Sequence, residues 1–407
     1  MAAAGGSAMH ASAPGSSGGS AGRTVHPRNR PAPARRFRAD PGLSGGFVAS
    51  LLPRNEDPSG RSAAEAAFRV AAKGGASMKR SLPLVSIGIP TFNSARFLQA
   101  TLESIAAQTW PSCEVIVSDN ASTDETLAIA RPFAERHGWR LLTGDCNRGP
   151  FANWNRLIES ARGDYLAIYH ADDLYDPGIV AESVGLLERS PKVGLVGTLA
   201  TVIDGSGREQ YPVTLPKGVV LAESYRFPEL FRAILGNGGD RIVLVTPSVM
   251  VRRQLYLDLG GFDTSGSFGS AGDYEMWLRI AAVHRVAVIP RPLVRYRIHE
   301  GQGSERELRR NLELPDLLAV LDAYAARIDD PGLRDEYDRY RRRTCFKTAL
   351  KQNCAAQFDR SRMTCGLIRS GRFFPAGLIL GLCNRLRINL RYWPGRPWPS
   401  SIELGNE

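Results

Sequence analysis

From residue 84 onward the chain alternates short apolar runs with stretches of helical period, and that alternation restricts its fold more than any other feature. Val85-Ser86-Ile87-Gly88-Ile89-Pro90 is an apolar run of strand length that ends at a turn former. Over 94–108, Phe97, Leu98, Leu102 and Ile105 recur at helical spacing. The same reading predicts strands at 114–118, 139–143 and 165–169, with helices at 123–134 and 151–161. Strand, helix and strand at this pitch build right-handed crossovers, so the expectation is an α/β fold with a mostly parallel sheet flanked by helices.

Such sheets bind ligands beyond the carboxyl ends of their strands. The polar residues at those positions are Asn93, Asp119, Asn147 and Asp172, one after each of the four predicted strands. Their placement predicts a nucleotide site. A second section, 192–304, carries shorter runs at 194–198, 242–251, 286–289 and 293–298. Gly260-Gly261-Phe262-Asp263 reads there as a turn and 274–282 as a helix.

The net charge of +11 is unevenly placed: residues 1–77 carry +6, 341–407 carry +10, and the middle is mildly acidic at −5. An acidic core argues against nucleic-acid binding, and a basic end suits contact with something anionic. Residues 1–77, rich in Ala, Gly, Ser, Pro and Arg, are expected to form a disordered arm, and Met78 is a candidate start. The region 305–390 reads as basic and helical, followed by a Pro/Trp-rich tail over 391–407. No apolar run reaches the roughly eighteen residues that a membrane-spanning helix needs. The six cysteines have no close CxxC spacing, which predicts reduced thiols and a cytoplasmic setting in place of a zinc site.

Six segments in one order carry a resemblance. They are 85–93 (VSIGIPTFN), 117–124 (VSDNASTD), 169–173 (YHADD), 260–263 (GGFD), 272–279 (GDYEMWLR) and 296–299 (YRIH). Together they resemble glycosyltransferase family 2, whose members have the GT-A fold and invert configuration at the transferred sugar; the expected domain is 84–304. The resemblance implies a nucleotide-sugar donor, with Pro90, Thr91, Asn93, Asp119, Asn147, Asn155, His170 and Arg297 facing it. Asp119 would accept from the imide N–H of uracil or thymine, or it ends the strand while Ser122 or Thr123 caps the next helix. The family usually writes its acidic turn as Asp-x-Asp. Here His170 stands at the first acidic position, leaving Asp172 as the implied metal ligand for Mg²⁺ or Mn²⁺ and Asp173 as an orienting group. His299 is the second implied metal ligand.

Inversion in one displacement needs a single carboxylate to take the acceptor's proton, and Asp273 holds the matching position. Gly272 replaces the glutamate that usually precedes it. A capping role for Asp273 is compatible with the same pattern, and Glu275 is the nearest other carboxylate. The implied acceptor is a glycan or a lipid-linked hydroxyl. Arg341, Arg342, Arg343, Lys347 and Lys351, with the apolar residues of 373–382, suit peripheral contact with an anionic membrane face or, equally, packing on the catalytic part. The alternatives are weaker. A nucleotidyltransferase would show a Gly-rich basic loop where Pro90-Thr91-Phe92-Asn93 stands, and a basic nucleic-acid binder would show a binding motif.

Overall fold

The computed structural model describes residues 81–215, 224–236, 243–302 and 312–392. The expected arm 1–77, the candidate start Met78 and the tail from 393 lie outside the described residues, as do 216–223, 237–242 and 303–311.

The predicted alternation forms as β1 (Val85–Thr91), α1 (Ala95–Ala106), β2 (Cys113–Asp119), α2 (Thr126–His137), β3 (Arg140–Thr143), α3 (Pro150–Ser160) and β4 (Tyr165–Ile168). Strands β3, β2, β1 and β4 pair in parallel in that order. Successive strand residues point to opposite faces, and both faces are covered. Val85, Ile87 and Ile89 join Leu98 and Leu102 of α1 on one side. Ile116 and Leu166 join Leu157 and Ile158 of α3 on the other.

The second section completes a mixed sheet. Its elements are β5 (Leu174–Tyr175), α4 (Ile179–Arg189), β6 (Val193–Ile203), β7 (Glu209–Pro212), α5 (Phe227–Leu235), β8 (Met250–Arg252), α6 (Arg253–Asp258), α7 (Gly272–Ala281) and β9 (Arg285–Arg297). Strand β8 runs antiparallel to both β4 and β6, while β9 runs parallel to β6 and antiparallel to β5. The sheet is therefore parallel from β3 to β4 and again between β6 and β9, and antiparallel where β8 and β5 join it. Two expectations need correction. The run 242–251 is a strand only at β8, because Pro247 lies in a one-turn 3₁₀ helix, Thr246–Ser248, and cannot donate to a ladder. The two runs at 286–298 are one long strand, β9, with register shifts in its pairing to β6.

Antiparallel β8 has a functional consequence. Ala167 of β4 pairs with Met250, so the residues before Met250 lie past the carboxyl end of β4. The carboxyl ends of β6 and β9 point the same way. The segments that follow β1, β2, β4 and β9, and the turn before β8, thus reach one edge of the sheet.

The described residues from 312 onward form four α-helices: α8 (Asp316–Tyr324), α9 (Pro331–Cys354), α10 (Phe358–Cys365) and α11 (Phe374–Arg385). Val320, Leu321 and Tyr324 of α8 and Leu333 and Tyr337 of α9 share the core that holds Phe231 and Trp277, so this part packs on the catalytic section. Further along, Asn353 donates to Asn384 (2.8 Å) and Asn384 to Ser361 (2.7 Å), tying α9, α10 and α11 together. All six cysteines are free thiols. No described helix is long and apolar enough to cross a membrane.

Candidate functional site

The site begins where β1 and β2 end. Asp119 is buried, and its Oδ1 accepts from the hydroxyls of Thr91 (3.0 Å) and Ser122 (2.5 Å). Its Oδ2 accepts from the backbone N–H of Ser122 (2.9 Å). The carboxylate therefore ends the strand and shapes the following turn, and Oδ2 keeps one acceptor position. Neighbouring Asn93 has φ 50°, a left-handed conformation that Asn tolerates, and its Oδ1 accepts from Thr123 N–H (2.9 Å). Pro90 directly precedes Thr91 at the same strand end.

Asp124 closes the second motif. It lies just ahead of α2 and accepts from the Thr126 N–H (3.0 Å) and the Ala95 N–H (3.1 Å), so it fixes the starts of α2 and α1. A residue that the motifs did not single out, Asn120, organises the next loop. Its amide donates to Asn147 Oδ1 (2.8 Å) and the Gly149 carbonyl (3.1 Å), and its Oδ1 accepts from the Arg148 N–H (3.1 Å). Asn147 is exposed beside it.

Asn155 faces elsewhere. Its Oδ1 accepts from the Phe262 N–H (2.7 Å) and its Nδ2 donates to the Phe262 carbonyl (2.8 Å). Its amide thus clamps the 260–263 turn, where the resemblance implied a residue facing the donor. Gly261 is required there: its φ is +72°, and a Cβ would come within 2.6 Å of Asn155 Oδ1.

The acidic turn follows β4. One ligand atom each from His170, Asp172 and Asp173 fall within 4.8 Å of one another. Short strand β5, paired with Val294 and Arg295, brings this turn against the end of β9. Asp173 is fully buried: Oδ1 accepts from the Arg297 N–H (2.7 Å), while Oδ2 has no hydrogen-bond partner. Burial and the neighbouring Asp172 charge push its carboxyl well above the usual range. Burial also pulls on Asp172, but the His299 hydrogen bond and the nearby imidazoles outweigh it and hold this carboxyl low. Burial lowers His170, whose Nε2 likewise has no partner. Buried polar atoms without partners are costly and call for a ligand or an ion. One imidazole and two carboxylates form a donor set that fits a divalent cation.

His299 Nε2 lies 3.0 Å from Asp172 Oδ2, and its Nδ1 accepts from the Gly301 N–H (3.2 Å). With Nδ1 as acceptor, the ring proton sits on Nε2 and points at Asp172. His299, expected as a metal ligand, thus stands against Asp172 at the acidic turn, and His170 brings a second imidazole to the cluster. Arg297, also buried, donates from Nε to the Asp172 carbonyl (2.7 Å) and from Nη1 to the Asp204 carbonyl (3.0 Å), over the ring of Phe97. It anchors the turn.

Asp273 is the second residue of α7, whose N-cap is Ala271, so the expected capping role is not its position. A carboxylate in a first helical turn is favoured by the helix dipole. Its Oδ2 accepts from the Thr246 hydroxyl (2.6 Å), and Thr246 lies past the carboxyl end of β4. The base candidate and the acidic turn therefore share one sheet edge. Rings link them: a Cβ on Gly272 would meet Phe151 at 2.6 Å, Phe151 contacts Trp154 (centroids 5.2 Å), and Trp154 contacts His170 (5.5 Å). Thr246 was missed because 242–251 was read as a strand; Pro247 was the available signal.

Glu275, the nearest other carboxylate, has partners of its own. It is buried, paired with Arg279, and accepts from the Tyr324 hydroxyl (2.7 Å). Arg279 in turn donates to the carbonyls of Leu259 (2.7 Å) and Gly261 (2.8 Å).

Residues 86–256 match the model of glycosyl transferase family 2. The uncharacterized protein MT1568 of Mycobacterium tuberculosis is 30% identical over 220 residues, covering 53% of this chain and 68% of that one. A PGL/p-HBAD biosynthesis glycosyltransferase of Mycobacterium bovis is 44% identical over 101 residues, 24% of this chain and 40% of its own. Among solved structures, TarS 1–349 of S. aureus in complex with UDP superposes with a TM-score of 0.51 at 17% identity, covering 75% of this chain and 89% of that one. That likeness is one of fold, GT-A. The edge-aligned motifs and these matches together assign the chain to glycosyl transferase family 2, as a glycosyltransferase of GT-A fold.

Proposed function

We propose that the protein transfers a sugar, with inversion, from a UDP- or dTDP-linked donor to a hydroxyl of a glycan or lipid-linked acceptor in cell-surface polysaccharide or glycolipid synthesis, from the cytoplasmic side. The observation that carries this reading is the convergence of His170, Asp172 and Asp173 with a carboxylate base candidate, Asp273, on one edge of the sheet. In this reading Pro90, Thr91, Asn93, Asp119 and Asn147 line the nucleoside end. Asp119 offers its remaining acceptor position to the base, and Asn120 holds Asn147 in place.

Asp172, His170 and Asp173 would hold a divalent cation, and the imidazole favours Mn²⁺ over Mg²⁺. Such an ion neutralises charge developing on the leaving diphosphate. His299 and Arg297 keep Asp172 and its turn in position. Asp273 takes the acceptor proton, oriented by the Thr246 hydroxyl. A single carboxylate on the acceptor side is what inversion requires, and the commitment of Glu275 to Arg279 and Tyr324 leaves Asp273 in that part.

The test is a panel of UDP-, dTDP- and GDP-sugars with the purified protein, with Mg²⁺ or Mn²⁺, read as binding and as slow donor hydrolysis. Metal-dependent binding of a UDP or dTDP sugar is expected, and the anomeric configuration of the transfer product reports inversion. Binding of GDP-sugars alone, or retention in the product, would overturn this reading.

A further inference from the structure

Helix α11 carries an apolar face that the fold leaves uncovered. Phe374, Leu378, Leu382 and Leu386 are spaced four apart, so they form one stripe along the helix, and Ile379 sits beside it. Leu378, Ile379, Leu382 and Leu386 are each more than half exposed. The opposite side of the helix is buried through Gly377, Leu380 and Asn384, and Asn384 is pinned to Asn353 and Ser361. The stripe therefore faces outward because a polar network fixes the helix about its axis.

The charge around it has one sign. Residues 360–392 hold seven arginines and no acidic residue. Arg369, Arg372, Arg385, Arg387 and Arg391 are exposed, and none has an ion-pair partner among the described residues. Arg372 and Phe373 also line a cavity of ≈ 1180 Å³ whose wall includes Arg342 and Arg343, so basic surface continues past the helix start. By contrast, Arg341 is paired with Asp322 (3.2 Å) and donates to the Leu367 carbonyl (3.2 Å). Arg341 of α9 is thus engaged in packing, and the outward apolar face belongs to α11.

We infer that α11 lies in the plane of an anionic phospholipid surface, its leucine stripe in the acyl boundary and its flanking arginines on the headgroup phosphates. Charge complementarity selects this occupant. A second copy of the chain would bring five unpaired arginines against five, whereas an anionic bilayer takes both the apolar stripe and the guanidinium groups. At 12 residues α11 is about 18 Å long, too short to span a hydrocarbon core of about 30 Å and suited to an interfacial position. Contact of this kind would hold the transfer site beside a membrane-borne acceptor. The inference goes beyond the proposed transfer reaction and stands without it, since the test reads binding and not catalysis.

The experiment is co-sedimentation of the full chain with phosphatidylglycerol-containing vesicles and with pure phosphatidylcholine vesicles, alongside analytical ultracentrifugation without lipid. Wild type is expected to bind the anionic vesicles, less tightly as salt rises. The variant Leu378→Gln/Ile379→Gln/Leu382→Gln should bind at least about tenfold more weakly, with unchanged thermal unfolding because the three side chains are exposed. Arg385→Gln/Arg387→Gln/Arg391→Gln should weaken binding by roughly fivefold per charge and flatten the salt dependence. No binding of wild type to anionic vesicles, or equal binding by the leucine variant, would overturn the inference. So would a wild-type dimer that the leucine variant converts to monomer, because the stripe would then be covered by a second copy.

Discussion

His299 Nε2 lies 3.0 Å from Asp172 Oδ2, although 127 residues separate them in the chain. The contact exists because β5, two residues long, pairs the chain just after Asp172 with the chain just before His299. It couples the acidic turn after β4 to the end of β9, and much of the site's geometry rests on it.

Asp172→Ala should therefore abolish metal-dependent nucleotide binding while the fold persists. Calorimetric titration of UDP with and without Mn²⁺ measures this. Unchanged metal dependence would remove Asp172 from the ligand set.

For Asp273, turnover and stability should separate. Asp273→Asn keeps an oxygen for the Thr246 hydroxyl but cannot take up a proton, so turnover should fall roughly 10²–10⁴-fold. Donor affinity and melting temperature should change little, because the N-cap of α7 is Ala271 and not Asp273. Near-normal turnover would exclude it as the base.

Glu275→Gln should behave in the opposite way. It leaves the half-buried guanidinium of Arg279 without its counter-charge, at a cost of up to about 3 kcal/mol. Urea unfolding should register that loss. Donor affinity should hold in whatever fraction remains folded, and a turnover defect without a stability defect would reverse the roles assigned to Glu275 and Asp273.

Gly272 is expected to resist enlargement. A Cβ there meets the Phe151 ring at 2.6 Å, and overpacking of this kind costs about 1–3 kcal/mol. Gly272→Ala should be destabilised by that amount, and Phe151→Leu in the same chain should recover part of it. Full stability of the single variant would show that Phe151 has room to move.

Glu114 gives the pH test. Burial alone would raise its carboxyl, but hydrogen bonds from Ser86 and Arg162 hold it below its usual 4.5. A carboxyl depressed on folding contributes stability that is complete above its unfolded value and is lost as pH falls through the folded one. Wild type should thus lose stability below about pH 4.5 more steeply than Glu114→Gln. Parallel pH profiles would mean that the Ser86 and Arg162 contacts carry no net energy.

The first half of the fold was legible because its signals are local. Apolar runs of strand length and helical spacing are written within ten or fifteen residues, so β1 to β4 and α1 to α3 fall within a few residues of the expected bounds. The positions of Asp119 and Asp172 after strands were legible for the same reason. Local pattern failed where pairing partners are distant: 242–251 looked like a strand by composition, and only its neighbours decide that Thr246 leaves the sheet and reaches Asp273.

By itself the sequence determined the α/β alternation, the ordered motifs and the basic, apolar carboxyl-terminal region. Tertiary structure alone decided which polar groups serve the site and which serve the scaffold. A hydrogen bond is directional and each amide or carboxylate has few positions to offer, so Asn155, once bound to both backbone groups of Phe262, is committed to a turn. Arg279 commits Glu275 in the same way, while His170 and Asp173 are left with buried atoms that have no hydrogen-bond partner. The outward face of α11 is likewise a tertiary outcome: its leucines match those of a core helix, and it is the Asn353–Asn384–Ser361 network that turns them toward the surroundings.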